Sequence, residues 1–253
     1  MRNVPLGQVD HLPAEVLPIA TDYPPDTLLA WHEHRRAQLL YAATGTMLVE
    51  TDDGAWTVPG ERAVLIPPRP RHQVRMLDTR TASLYVEPSA VPWWPAACRV
   101  VAVPPLLREL LLAAADLEAD YAGDARDSAL IALVLLETAA LSEVPLYVAL
   151  PHEEPFSALC RGYLADPGLS VSNTDWARAT AMSERMLTRR FRQATGTSPA
   201  AWRSRARLLA SIPLLRHKSV TEVAVLLGYA SPAAFSYAFT RAFDVPPSSM
   251  RQH

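Results

Sequence analysis

From Leu28 to Val86 the apolar residues come in short runs, among them Ala37 to Ala43, Thr46 to Val49 and Ala63 to Ile66. Each run is closed by Gly, Pro or Asp, at Gly45, Asp52-Asp53-Gly54, Pro59-Gly60 or Pro67-Pro68. Short β-branched runs between frequent turn signals predict an antiparallel sandwich or barrel. The Asp53-Gly54 pair reads as a hairpin turn, because both residues tolerate positive φ. After Pro104-Pro105 the period changes. Leu106, Leu107, Leu110, Leu111 and Ala114, then Leu130, Leu133, Val134 and Glu137, follow helical spacing, with a break near Gly123. Such broad Leu/Ala faces suit either covering the sheet or pairing with a second subunit. The predicted organisation is a barrel over 1–100, a helical segment over 101–143, a Pro-containing linker over 144–155 and a helical domain over 156–253.

The helical domain contains one pattern twice. Ser183, Phe191, Gly196 and Pro199 recur 48 positions later as Ser231, Phe239, Asp244 and Pro247. A repeat of that period, flanked by apolar stretches, reads as two copies of one supersecondary unit. In the first copy Trp176, Ala177 and Thr180 share a helical face, Ala181 and Met182 form a tight turn, and Ser183 caps a second helix. That helix turns Leu187 and Phe191 inward and Arg185, Thr188, Arg189 and Arg192 outward. A short helix, a tight turn and an Arg-rich second helix is the helix-turn-helix arrangement, whose second helix enters the DNA major groove. In the second copy Val223, Ala224 and Leu227 precede Gly228-Tyr229, and Ser231 opens a helix with Phe235, Phe239 and Phe243 inward. Ser219 with Glu222 is a capping box for the helix before that turn. Trp202 to Arg216 form a connecting helix, with Arg203, Arg205 and Arg207 available to phosphates and Pro213 placed to remove one backbone bond and kink it.

Charge supports this division. The chain of 253 residues carries a net charge of -2, yet residues 156–253 hold 13 Lys/Arg against 5 Asp/Glu while the remainder holds 11 against 21. A basic C-terminal part suits a polyanion and an acidic N-terminal part does not. Cys98 and Cys160, far apart and in no C-x-x-C pattern, read as reduced thiols of a cytoplasmic protein. No stretch approaches the roughly 20 apolar residues that span a bilayer, so no membrane partner is expected.

These helical residues resemble the DNA-binding domain of the AraC/XylS family of bacterial transcription regulators. The resemblance rests on Ala177, Ser183, Leu187, Arg189, Phe191, Gly196, Ser198-Pro199, Ala224, Gly228-Tyr229, Ser231, Phe235, Phe239, Phe243, Pro247 and Arg251, with both units in register over about 156–251. It implies DNA contacts by Arg185, Thr188 and Arg189 in the first unit and by Pro232, Ala233, Ser236 and Tyr237 in the second. Arg192, Arg203 and Arg205 join the candidate DNA-binding set. The partners it implies are double-stranded DNA, a small-molecule effector, a second copy of the chain and RNA polymerase. Asp244 stands where Gly is common, and Asp also tolerates the left-handed conformation.

Upstream, His32-Glu33-His34 with Gln38 and Gly45, then Gly60, Pro67 and His72, is similar to the two motifs of the cupin superfamily. That similarity implies a small barrel with His32, His34 and His72 pointing inward, but Gln38 replaces the usual Glu and Arg69 replaces a Gly. The fold class expected is α+β: a cupin-like antiparallel β-barrel followed by helices, then an all-α domain of two helix-turn-helix units. His32, His34, Gln38, His72, Trp31 and Tyr41 are the candidate effector-binding residues. No cofactor is required by this reading. The alternative is a cupin-type metal-dependent enzyme or metal-sensing regulator, with His32, His34 and His72 holding a divalent metal. It explains the histidines but not the duplicated basic domain.

Overall fold

A computed structural model describes residues 1–118, 121, 124–168 and 170–250. Gly123 and Arg251, which carried part of the sequence reading, lie outside them. The chain divides into two compact units, residues 1–51 with 58–145, and residues 52–57 with 146–253.

The first unit is built from β1 (Val16–Asp22), β2 (Thr27–His32), β3 (Ala37–Ala42), β4 (Thr46–Thr51), β6 (Arg62–Ile66), β7 (His72–Leu77), β8 (Arg80–Val86) and β9 (Arg99–Ala102); between β4 and β6 the chain runs through β5 (Gly54–Pro59), of which residues 54–57 belong to the second unit. One antiparallel sheet runs β1-β8-β3-β6-β9; β4, β7 and β2 form an antiparallel ladder in a second sheet. Register is tight: Gln38 lies opposite Tyr85 and Ile66, and Leu17 also lies opposite Tyr85. Because side chains alternate across a strand, β3 sends Gln38 and Leu40 to one face and Leu39 and Tyr41 to the other. The second face packs on α2 (Pro105–Ala114) and α3 (Ala125–Ala139), where Leu39, Tyr41, Leu65, Leu84 and Val101 meet Leu107, Leu111, Ile131 and Val134. The two helices therefore cover the sheet. Leu106, Leu133 and Leu136 point away from that core, and Leu136 is 69% exposed.

A short helix, α1 (Leu6–Val9), precedes β1 and is held by arginine. Arg36 is fully buried, pairs with Asp10 and Glu87, and donates to the carbonyls of Asp10, Leu12, Ala14 and Glu15. A buried guanidinium is tolerated only with such complete pairing.

The second unit contains α4 (Phe156–Ala165), α5 (Asn173–Ala179), α6 (Glu184–Thr195), α7 (Pro199–Leu215), α8 (Val220–Leu226) and α9 (Pro232–Phe243). It is not purely helical. The stretch expected to be a linker forms β10 (Tyr147–Ala149), which pairs antiparallel with Gly54 to Trp56 of β5. Leu146, Val148 and Leu150 are buried while Tyr147 is exposed, the period of a strand that the surrounding prolines conceal. Neither Asp53 nor Gly54 adopts positive φ; Gly54 is needed for close approach, since a Cβ there would lie 2.8 Å from the Trp56 ring. The core joins Phe156, Tyr163, Trp176, Phe191 and Trp202, ring against ring at 5.6–6.2 Å. Trp202 Nε1 donates to the Ala149 carbonyl at 2.7 Å, which ties β10 to that core.

Candidate nucleic-acid interface and effector cavity

Both helix-turn-helix units are built by the same local devices. Ser172 and Asp175 form a capping box on α5, and Ser219 and Glu222 form one on α8. Ser183 Oγ accepts from Met186 N, and Ser231 Oγ accepts from Ala234 N, so each second helix starts where its serine satisfies a free N–H. In the turns, Met182 N donates to Ala177 O and Tyr229 N donates to Ala224 O, both at 2.9 Å. The helices end on left-handed residues, Gly196 at φ 74 and Asp244 at φ 58, and Asp244 fills the glycine role as expected.

The outer face of α6 carries Arg185, Arg189 and Arg192, all exposed, with Thr188 half-buried between them. Their i, i+3, i+4 and i+7 spacing places them in one stripe. Together with Glu184 and Gln193 they line a surface concavity of about 570 Å³. Leu187 and Phe191 are fully buried on the opposite face. A guanidinium fork can hold guanine O6 and N7 together, so this stripe has the chemistry of direct base readout. On α9 the corresponding face presents Ala233 and Tyr237, with Ser236 half-buried; Tyr237 is 70% exposed. Phe235 and Phe239 are buried behind it.

The connecting-helix arginines have a different place from the one expected. Arg203 is only 6% exposed, lies over the Trp176 ring at 4.5 Å and donates to Asn173 Oδ1 at 2.8 Å. Arg205 lies over Phe243 at 4.7 Å and donates to the Ala242 carbonyl, and Arg207 lies over Tyr229 at 5.4 Å. Burial lowers the pKa of both Arg203 and Arg205. All three guanidiniums lie over aromatic rings, and Arg203 is buried there, away from a phosphate. Pro213 sits in the last turn of α7, which ends two residues later at Leu215, so it costs one bond at an end.

At one end of the first unit's barrel a cavity of about 600 Å³ is lined by Tyr23, Leu29, His32, His34 and Tyr85, with Leu6, Gly7, Asp10, Glu33, Arg35 and Arg69 around them. The three histidines cluster as expected. Ring centroids are 4.3 Å apart for His32 and His72, 5.0 Å for His34 and His72, and 6.2 Å for His32 and His34. Nδ1 of each faces a backbone carbonyl: Ala30 for His32, Arg36 for His34 and Pro70 for His72. His72 is 1% exposed and lies behind the other two rather than on the cavity wall. Burial lowers the pKa of His34 and lowers that of His72 to about 4, so both are neutral at pH 7.

Gln38 decides what this cluster can hold. Its amide lies 3.0 Å from His34 Nε2 and 2.9 Å from the Tyr85 hydroxyl. Gln38 Oε1 faces His34 Nε2, while Gln38 Nε2 donates to the Tyr85 hydroxyl and, at 3.4 Å, to Ser83 Oγ. Whichever way the amide faces, His34 Nε2 is occupied. Among the described residues no three His, Cys, Asp or Glu side chains are arranged to hold a metal ion. The cavity itself is lined by hydrogen-bonding and aromatic groups.

Two other expected effector residues are turned away. Tyr41 faces the α2 and α3 core, one residue out of phase with Gln38. Trp31 is not among the residues lining the cavity and carries Arg71 over its ring at 5.9 Å. Conversely, Tyr23, Asp10 and Arg35 line the cavity without any local motif to announce them. Arg69 keeps a left-handed backbone at φ 76, a conformation that costs a side-chain-bearing residue about 1–2 kcal/mol.

Residues 14–136 match the AraC-like ligand binding domain family, and residues 176–253 match the Helix-turn-helix domain family. Over 218 residues, 85% of this chain and 80% of its own length, the HTH-type transcriptional regulator NimR of Escherichia coli is 28% identical. The HTH-type transcriptional activator RhaS of Klebsiella pneumoniae is 40% identical over 73 residues, 28% of this chain and 26% of that protein. The structure of ToxT from Vibrio cholerae is 10% identical, with 95% of this chain and 100% of that one covered at a TM-score of 0.39. Among the described residues no helix is long and apolar enough to cross a membrane. With a ligand-binding barrel domain followed by two helix-turn-helix units, the chain belongs to the AraC family of DNA-binding transcription regulators.

Proposed function

We propose that this regulator reads its operator chiefly through α6 and responds to a small organic effector held in the barrel cavity against His32, His34 and Tyr85. The observation that carries the DNA part is the stripe of Arg185, Thr188, Arg189 and Arg192, displayed on a capped helix behind a tight turn. The clustered histidines beside a cavity of ligand size support the effector part. Effector binding shifts the population of chains able to hold operator or to contact RNA polymerase. The activator role named for the RhaS relative supports the polymerase contact. The exposed leucines of α2 and α3, Leu106, Leu133 and Leu136, support a homodimer through that outer face. The role is regulatory rather than catalytic, and its setting is the cytoplasm.

Genome-wide mapping of bound sites tests the reading. Wild-type protein is expected to give discrete peaks that disappear in an Arg185→Ala/Arg189→Ala variant of unchanged thermal stability. Peaks that persist in that variant would contradict the assignment of α6.

A further inference from the structure

Resting on the proposal that the cavity holds the effector, we infer that this effector is a monocarboxylic acid with an uncharged, aromatic body, and that Arg69 is the residue that selects it. Of the four charged side chains around the cavity, two are already neutralised. Arg35 donates to both Glu87 oxygens at 2.5 and 2.7 Å and to Asp10, and Asp10 also accepts from Arg36. Glu33 and Arg69 remain, and neither makes a side-chain hydrogen bond or ion pair among the described residues. Deeper in, the wall is uncharged. His34 is a neutral imidazole, and burial holds Tyr23 and Tyr85 in their protonated forms. His32, its Nδ1 on the Ala30 carbonyl, keeps Nε2 as its remaining polar atom. The interior thus suits an uncharged body, while among the described residues the rim offers one free forked cation, Arg69.

Arg69 is also held in place at a cost. Its φ of 76 is a conformation that favours glycine, it is flanked by Pro68 and Pro70, and its N–H donates to the His34 carbonyl at 2.9 Å. An unpaired guanidinium lining the cavity can match a carboxylate with two parallel hydrogen bonds. Glu33, the other free charge, repels a second negative group and so favours a monoanion over a dianion.

Titration calorimetry on the full chain tests this with three probes that share a phenyl ring and differ in the head group: 3-phenylpropionate, 3-phenylpropanamide and 3-phenylpropylamine. The acid is expected to bind at least tenfold more tightly than the amide, and the amine more weakly still. Arg69→Gly is expected to raise the melting temperature by relieving the strain, to weaken the acid at least tenfold and to leave the amide unchanged. Glu33→Gln is expected to tighten the acid severalfold. Gly7→Trp fills the cavity from a position where an added Cβ meets nothing within 4 Å, and it is expected to abolish binding of every probe. Equal affinity for acid and amide, or an acid affinity indifferent to Arg69→Gly, with Gly7→Trp still blocking, overturns the carboxylate inference and leaves the cavity reading standing. Acid binding that survives Gly7→Trp overturns the cavity reading itself. No binding of the acid at millimolar concentration also overturns the inference.

Discussion

The two helix-turn-helix units share a scaffold and differ in nearly everything they present. At matched positions of α6 and α9, Arg185 corresponds to Ala233, Thr188 to Ser236, Arg189 to Tyr237 and Arg192 to Thr240. Three forked donors in the first unit become a methyl, a phenol and a hydroxyl in the second. The scaffolds are also not superposable residue for residue. Capping serines, buried positions and turn hydrogen bonds of the first helices are related by 47 positions, as in Ser172 and Ser219 or Ala177 and Ala224, whereas the second helices are related by 48. The second turn is therefore one residue longer, with Ala230 inserted between Tyr229 and Ser231. Duplication explains the fold, and the divergence supports the proposal that the first unit reads bases while the second holds register.

The largest expected difference lies in the cores. Trp176 is the ring on which Phe191, Trp202, Tyr163 and Arg203 converge, and its counterpart in the second unit is Val223. Trp176→Ala should destabilise the unit by about 3–5 kcal/mol in denaturant unfolding, and Val223→Ala by about 1–2 kcal/mol. Equal losses would show that the aromatic cage does not set the first unit apart. On DNA, Arg189→Ala should weaken specific binding by about 1–3 kcal/mol and relax one base position, whereas Tyr237→Ala should cost about 1 kcal/mol or less. Titrations on the operator at fixed salt check this.

Salt dependence sharpens the comparison further. If Arg205 is part of the core and Arg192 contacts phosphate, Arg192→Ala should make the slope of log affinity against log salt shallower by about 1. Arg205→Ala should leave the slope unchanged while lowering thermal stability. The smallest effect is expected in the turns. Ala181 has φ 52 where the second unit has Gly228 at φ 68. Ala181→Gly should stabilise by about 0.5–1 kcal/mol, the relieved strain less the extra backbone entropy of glycine. Gly228→Ala should destabilise by about 1 kcal/mol, since an added Cβ would meet Gly168 O at an ordinary 3.5 Å and only the backbone is strained. Thermal melts of the two variants measure both.

How far the sequence could be read follows from the range of the forces involved. Helix starts at Ser183, Ser219 and Ser231 and the left-handed cap at Asp244 depend on residues three or four positions apart, and these were legible. The histidine cluster was legible too, because the motif spacing carries it. What was missed depends on partners far along the chain. Arg203, Arg205 and Arg207 look like phosphate donors until Trp176, Phe243 and Tyr229 are brought beneath them. Tyr41 looked like a cavity residue because strand alternation fixes relative phase, and only the α2 and α3 contacts show which phase faces inward. β10 is three residues long and finds its partner in β5, about 90 residues earlier, so its neighbouring prolines dominated the local signal. The period of 48 read along the chain concealed the inserted Ala230, since the change from 47 to 48 falls within a turn.

The central claim is that the first unit reads bases and the second mainly holds the protein in register. Selection of bound sequences from a randomised duplex library, with wild-type, Arg189→Ala and Tyr237→Ala proteins at one salt concentration, tests it most directly. The expected result is a half-site with defined guanines that loses one of them in Arg189→Ala, beside a second half-site of weaker preference that Tyr237→Ala barely changes. A second half-site as sharply defined as the first and erased by Tyr237→Ala, with guanine preference intact in Arg189→Ala, would contradict it.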